Sequence, residues 1–140
     1  MLCAGQVKLS ATARDCRTII LRIAKPGELL GLHATVSNQP YGLTAETLQP
    51  AQLNHVSAAD FMNFLQEHGD ACLRVAEHLS QNYQSACDTV RSLGLFHSIS
   101  ERLASLMLQW ASKGRVTKEG IQINCGLTQE EIAQLLGTAR

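Results

Sequence analysis

Leu127-Thr128-Gln129-Glu130-Glu131-Ile132-Ala133-Gln134-Leu135-Leu136-Gly137-Thr138-Ala139-Arg140 is the stretch on which the fold turns. Thr128 and Glu131 have the spacing of a capping box, in which each side chain satisfies the other residue's backbone N–H, so a helix is expected to open at Thr128 and run to Gly137. Ala133 is small enough for a second helix to cross it, and Ile132 and Leu136 can fill the space between. Gly137 supplies the left-handed backbone of a tight turn, and Thr138-Ala139-Arg140 reads as the next helix beginning. In a helix-turn-helix that next helix lies in the major groove, and an arginine at its start can grip guanine with two hydrogen bonds. Ordinary helical hairpins share the pattern, so what precedes it decides.

Working back, Ile121-Gln122-Ile123 alternates like one short strand, and Lys113-Gly114-Arg115 closes a helix that Ser98-Ile99-Ser100-Glu101 opens with another capping box. Ile99, Leu103, Leu106, Met107 and Trp110 share its face, read as core. Before Gly94, expected as a break, a long helix starts at Asp70. In it Cys72, Ala76, Leu79, Tyr83, Ala86, Val90 and Leu93 follow at alternating spacings of four and three, a heptad seam with polar Arg74, Glu77, Gln81, Gln84 and Asp88 outside it. Such a stripe faces either a partner helix or the helix's own domain. A shorter helix starts at Ser57-Ala58-Ala59-Asp60, carries Phe61, Phe64 and Leu65 on one face, and ends near Gly69.

The first 56 residues read as an all-β half. Strands are expected at Gln6-Val7-Lys8-Leu9, Thr18–Ile23, Thr44–Thr47 and Gln52–Val56, with turns at Lys25-Pro26-Gly27, between Ser37 and Gly42, and at Gln49-Pro50.

The 140 residues balance twelve basic against twelve acidic side chains, so net charge offers no long-range pull toward nucleic acid or an anionic membrane. Any DNA contact must be local. Apolar runs are too short to span a bilayer and no secretory leader is visible, which places the chain in the cytoplasm with no membrane partner. Five scattered cysteines without CxxC spacing argue against a disulfide framework or metal cluster; reduced, mostly buried thiols are expected. His55, His68, His78 and His97 lack two-ligand spacing, so no metal site is read. No nucleophile–base pair, carboxylate pair or phosphate loop is visible, and a cupin-type enzyme would need clustered histidines that are absent, so the chain reads as no enzyme.

The order β-roll, short helix, long helix, capped helix, strand and helix-turn-helix resembles the bacterial cyclic-AMP receptor/fumarate-nitrate regulator (CRP/FNR) family over all 140 residues. The resemblance is carried by Pro26-Gly27-Glu28-Leu29-Leu30-Gly31, Ser100-Glu101-Arg102-Leu103-Ala104 and the stretch quoted first. It implies an α+β chain: a partial effector-sensing β-roll with its short helix over 1–69, a dimerisation helix over 70–94, and an incomplete winged helix-turn-helix over 95–140. By the same resemblance the long helix pairs with a second copy, Ser98 caps a hinge, and Gln129, Thr138, Ala139 and Arg140 stand at DNA contacts. RNA polymerase is the further partner implied.

The implied effector pocket comprises Gly27, Glu28, Gly31, Leu32, His33, Leu43, Thr44, Ala45, Cys87 and Asp88. Cyclic-nucleotide binders of the family hold the ribose with a glutamate and the phosphate with an arginine at the places that match Leu32 and Leu43. A pocket without that arginine would leave a phosphate unpaired, so cyclic AMP is not expected and the effector stays unassigned. His33 stands in the pocket turn, where some gas-sensing members ligate haem; a solvent-facing histidine is the expectation.

The family's first strands would precede Met1, and its recognition helix and wing would follow Arg140. The chain is therefore expected to be cut short at both ends, to bind DNA poorly by itself, and to present open sheet edges. The competing reading is an interaction module that dimerises with intact regulators without binding DNA.

Overall fold

A computed structural model describes residues 1–95, 98–112, 114–123 and 125–138. Its first layer is β: β1 (Leu2–Ala4), β2 (Val7–Thr12), β3 (Thr18–Ala24), β4 (Thr44–Thr47) and β5 (Gln52–Leu53). The sheet order is β3-β2-β4, all antiparallel, with β1 and β5 paired separately. Val7, Leu9 and Ala24 close a small core with Leu2, because alternate residues of the paired strands point to one face. Lys25-Pro26-Gly27-Glu28 turns the chain as read, with Gly27 at φ 94° and Glu28 N–H donating to the Lys25 carbonyl at 3.2 Å.

Gly5 holds a second such position, at φ 88°, and a Cβ there would sit 2.7 Å from the Pro50 carbonyl oxygen and 2.8 Å from Ala51 Cα. Backbone cannot give way as a flexible side chain can. Gly5→Ala should therefore cost more than the roughly 1–2 kcal/mol of the left-handed conformation alone, seen as a lowered thermal midpoint; an unchanged midpoint would show that β1 and β5 shift freely.

The β half is not all β. Leu32–Ser37 forms α1, entered from Gly31 at φ 78° and left through Asn38 at φ 51°. One and a half turns are too short to show helical periodicity, and the flanking turn residues look like a loop. β5 also stops at Leu53 rather than reaching Val56.

Helix α2 (Ala58–Glu67) starts at Ser57, whose hydroxyl oxygen accepts from Asp60 N–H at 3.1 Å. The aspartate does not complete a box; its carboxylate accepts from the Ser57 hydroxyl instead. α3 (Gly69–Leu95) carries on through Gly94, which lies in the last turn, where a glycine's cost of about 1 kcal/mol is tolerable. Leu32, Leu65 and Val75 form a second core that joins α1, α2 and α3.

Both later capping boxes are complete. They open α4 (Ile99–Ala111) at Ser98 and α5 (Gln129–Leu135) at Thr128. The α4 face read as core is only partly covered: no residue of this helix is fully buried, and Ile99 and Met107 are exposed. Between them the expected single strand is a hairpin, β6 (Arg115–Thr117) against β7 (Gly120–Gln122). Lys113 and His97 lie outside the described residues. All five cysteines are free, but Cys16 and Cys72 are exposed and Cys3, Cys87 and Cys125 half-buried, so the expectation of mostly buried thiols fails. A chain whose two cores hold few fully buried side chains has little room to hide thiols.

Candidate functional site

A cavity of about 560 Å³ lies between the roll, α1 and α3. Leu9, Leu21, Leu30, Leu32, Leu43 and Ala45 give it an apolar wall. Gly31 lets the chain enter α1 with Tyr41 folded against it; a Cβ at that glycine would come 2.7 Å from the tyrosine ring. Of the ten residues expected at the pocket, Gly31, Leu32, His33, Leu43 and Ala45 line this cavity. Thr44 does not, because neighbouring strand residues point to opposite faces and Leu43 and Ala45 take the cavity side. Gly27 and Glu28 form the turn beside it.

Cys87 and Asp88 are not in its lining. α3 presents Asn82 and Ala86 there, whereas Asp88 borders a separate cleft beside α4 and lies 3.7 Å from Arg91. Ala86, expected at the dimer seam, is thus part of the cavity floor.

The reading of a pocket without arginine also needs correction. Arg22, on β3, reaches the wall and pairs with Glu28, whose other oxygen accepts from Lys25 N–H at 2.9 Å. Sequence could have flagged it, since Arg22 stands within the Thr18–Ile23 strand and its alternation fixes a face, but not which face meets the cavity.

On α3 the apolar seam splits in two. Leu79 packs against the second core, and Leu93 lies beside Gly137. Leu73, Tyr83 and Val90 are 65%, 73% and 70% exposed, and with exposed Ala76 they share one stripe of the helix, which Ser80 and Cys87 complete at spacings of three and four. Cys72 is exposed just beside it. Half-buried Cys87 falls within the stripe, one turn from Tyr83, and hydrogen bonding between them raises the phenol pKa.

α5 lies against β3. Lys8 Nζ, on the neighbouring strand, donates to Glu131 at 3.0 Å and pairs with Glu46 at 3.2 Å, with the Lys8 and Glu131 side chains only 12% and 15% exposed. Glu131 does double duty, because its other oxygen accepts from Thr128 N–H at 2.9 Å in the capping box. At the far end Arg102 donates to the Leu136 carbonyl at 2.7 Å, and Gly137 turns the chain at φ 68°. Gln129 stays exposed and Thr138 half-buried; Ala139 and Arg140 lie outside the described residues.

The hydrogen bond from Thr128 N–H and the Lys8 ammonium hold the Glu131 carboxyl below its ordinary 4.5. Burial works against the Lys8 charge, yet Glu131 and Glu46 outweigh it and raise its pKa above 10.5. For the depressed carboxyl, stability is present above the unfolded-state value and is lost as pH falls through the folded one; for the raised ammonium it is present below 10.5 and lost as pH rises further. α5 amides should therefore lose exchange protection on acidification below about 4.5, and Glu131→Gln should remove most of that acid limb. Protection that falls equally in Glu131→Gln would place the titrating group elsewhere.

Among the described residues no group of three metal-ligating side chains occurs and no helix is long and apolar enough to cross a membrane.

Residues 1–68 match the cyclic nucleotide-binding domain family. A CRP-like cAMP-activated global transcriptional regulator of Mycobacterium tuberculosis aligns with the whole chain at 23% identity, and the chain spans 62% of that regulator's length. FixK2 from Bradyrhizobium japonicum has the same fold, with a TM-score of 0.82 at 19% identity over 99% of this chain and 67% of its own. So does CLP, the c-di-GMP responsive global regulator of Xanthomonas campestris, at TM-score 0.83 and 17% identity over 99% of this chain and 69% of its own. Residues 1–68 thus resemble a cyclic nucleotide-binding domain, and the roll, long helix and α5 follow one another in the fold that these regulators share.

Proposed function

We propose that the chain works as part of a dimeric transcription regulator, in which occupancy of the roll cavity is passed through α3 to a DNA-reading helix-turn-helix opened by α5. The observation that carries this is the exposed stripe of α3, Leu73, Ala76, Tyr83 and Val90, running down the helix that also floors the cavity. An apolar stripe of this length left in water favours a second copy, whose own stripe is complementary to it by symmetry. Dimer partner, effector cavity and α5 are thereby linked through one helix, as coupling requires.

Supporting the DNA-reading role are exposed Gln129 at the start of α5 and the turn at Gly137, which Arg140 follows in the sequence. The curated relatives named as transcriptional regulators add weight to it. RNA polymerase is the downstream partner under this reading.

The test is sedimentation of the 140-residue chain, followed by affinity for palindromic DNA of a version extended beyond Arg140, with and without cyclic AMP. A dimer whose extended form binds palindromic DNA with or without the nucleotide is expected. A monomer at all concentrations overturns the role of α3. A dimer whose extended form ignores DNA but joins an intact family member favours the interaction module.

A further inference from the structure

The cavity between the roll and α3 is the right size for a small molecule, and its wall limits what that molecule can be. Leu9, Leu21, Leu30 and Leu32 offer hydrocarbon. The cation on the wall, Arg22, is closed onto Glu28, and Glu28 is fixed again by Lys25 N–H. A phosphate or carboxylate that captured Arg22 would strand the Glu28 charge in a half-buried position, which is costly. Asn82, on the floor, makes no side-chain hydrogen bond among the described residues.

We propose that this cavity takes an uncharged, mainly apolar molecule with a polar group that meets the Asn82 amide. The proposal rests on the cavity being the effector site and departs from the nucleotide activation named for the curated relative.

The probe is prodan, a neutral fluorophore with a single ketone, titrated into the 140-residue chain. Saturable, blue-shifted emission at one site per chain is expected. Ala45→Arg, at an exposed position of β4 that borders the cavity, should weaken it at least about tenfold by placing a charge against hydrocarbon. Asn82→Ala should weaken it about fivefold, the value of one neutral hydrogen bond. Leu73→Glu, on the exposed stripe, should leave it unchanged.

Should Ala45→Arg lose its native circular dichroism, Leu43→Glu takes its place. A signal that survives the cavity variant, or that vanishes with Leu73→Glu, locates the probe on the helix face and overturns the proposal. Displacement of prodan by cyclic AMP overturns the uncharged class, as does displacement by decanoate but not decanol. An extended regulator whose DNA affinity ignores prodan occupancy overturns the effector role of the cavity while leaving its ligand class standing.

Discussion

Val90→Glu should turn a dimer of this chain into a monomer, raising its dissociation constant by about 100-fold or more. Val90 is 70% exposed in the single chain, so the substitution removes little from the fold itself. Across a two-fold axis, however, each glutamate would meet its counterpart, and two like charges would lose water with no partner. A penalty of about 3 kcal/mol, at 1.4 kcal/mol for each factor of ten, gives that change. Leu79→Glu is the contrast. Leu79 packs on the Leu32, Leu65 and Val75 core, so its substitution should lower the thermal midpoint at every protein concentration. If Val90→Glu sediments like the parent chain, the exposed stripe is not the dimer face.

Leu2→Ala should destabilise the roll by about 3 kcal/mol, within the usual range for a fully enclosed leucine. Leu2 is wholly buried against Val7, Leu9 and Ala24, with Leu30 and Ala51 packed around them, and the paired strands that carry these residues limit how far they can close over the space. With a typical stability of about 5–15 kcal/mol for a domain, that loss is a large fraction of the whole. Chemical denaturation reads it directly; a cost below about 1 kcal/mol would show that β1 closes over the gap.

What could be seen in the sequence was what depends on near neighbours. Ser98 with Glu101 and Thr128 with Glu131 marked two helix starts correctly, because a capping box needs nothing beyond its own four residues. The α+β character and the order of the elements were legible for the same reason, as runs of period two gave way to runs of period three and a half. Questions of which face meets what were not. The seam read through Cys72, Ala76, Leu79, Tyr83, Ala86, Val90 and Leu93 mixes two adjacent stripes, one turned to the chain's own core and one to solvent. About 100° of rotation separates successive helix residues, so Asn82 and Ala86 could replace Cys87 and Asp88 at the cavity without disturbing the pattern. Arg22 escaped notice because its partner, Glu28, is brought to it only by the Pro26-Gly27 turn.

One hydroxyl has a bearing on how motion passes between cavity and helix. Thr89 lies 3.2 Å from the Leu21 carbonyl on β3 and 3.0 Å from the Ser85 carbonyl on its own helix, with a single proton to give to either. Were the strand acceptor its only choice, pulling β3 away would strand a donor and cost about 1 kcal/mol or more. With a fallback one turn below, a separation of strand and helix would leave the hydroxyl hydrogen-bonded, so this joint would act as a clutch, engaged when the two are close and free to slip when they part. Thr89→Val would keep the shape and remove the clutch, and the wall that carries Leu21 and Arg22 would then ride on packing alone.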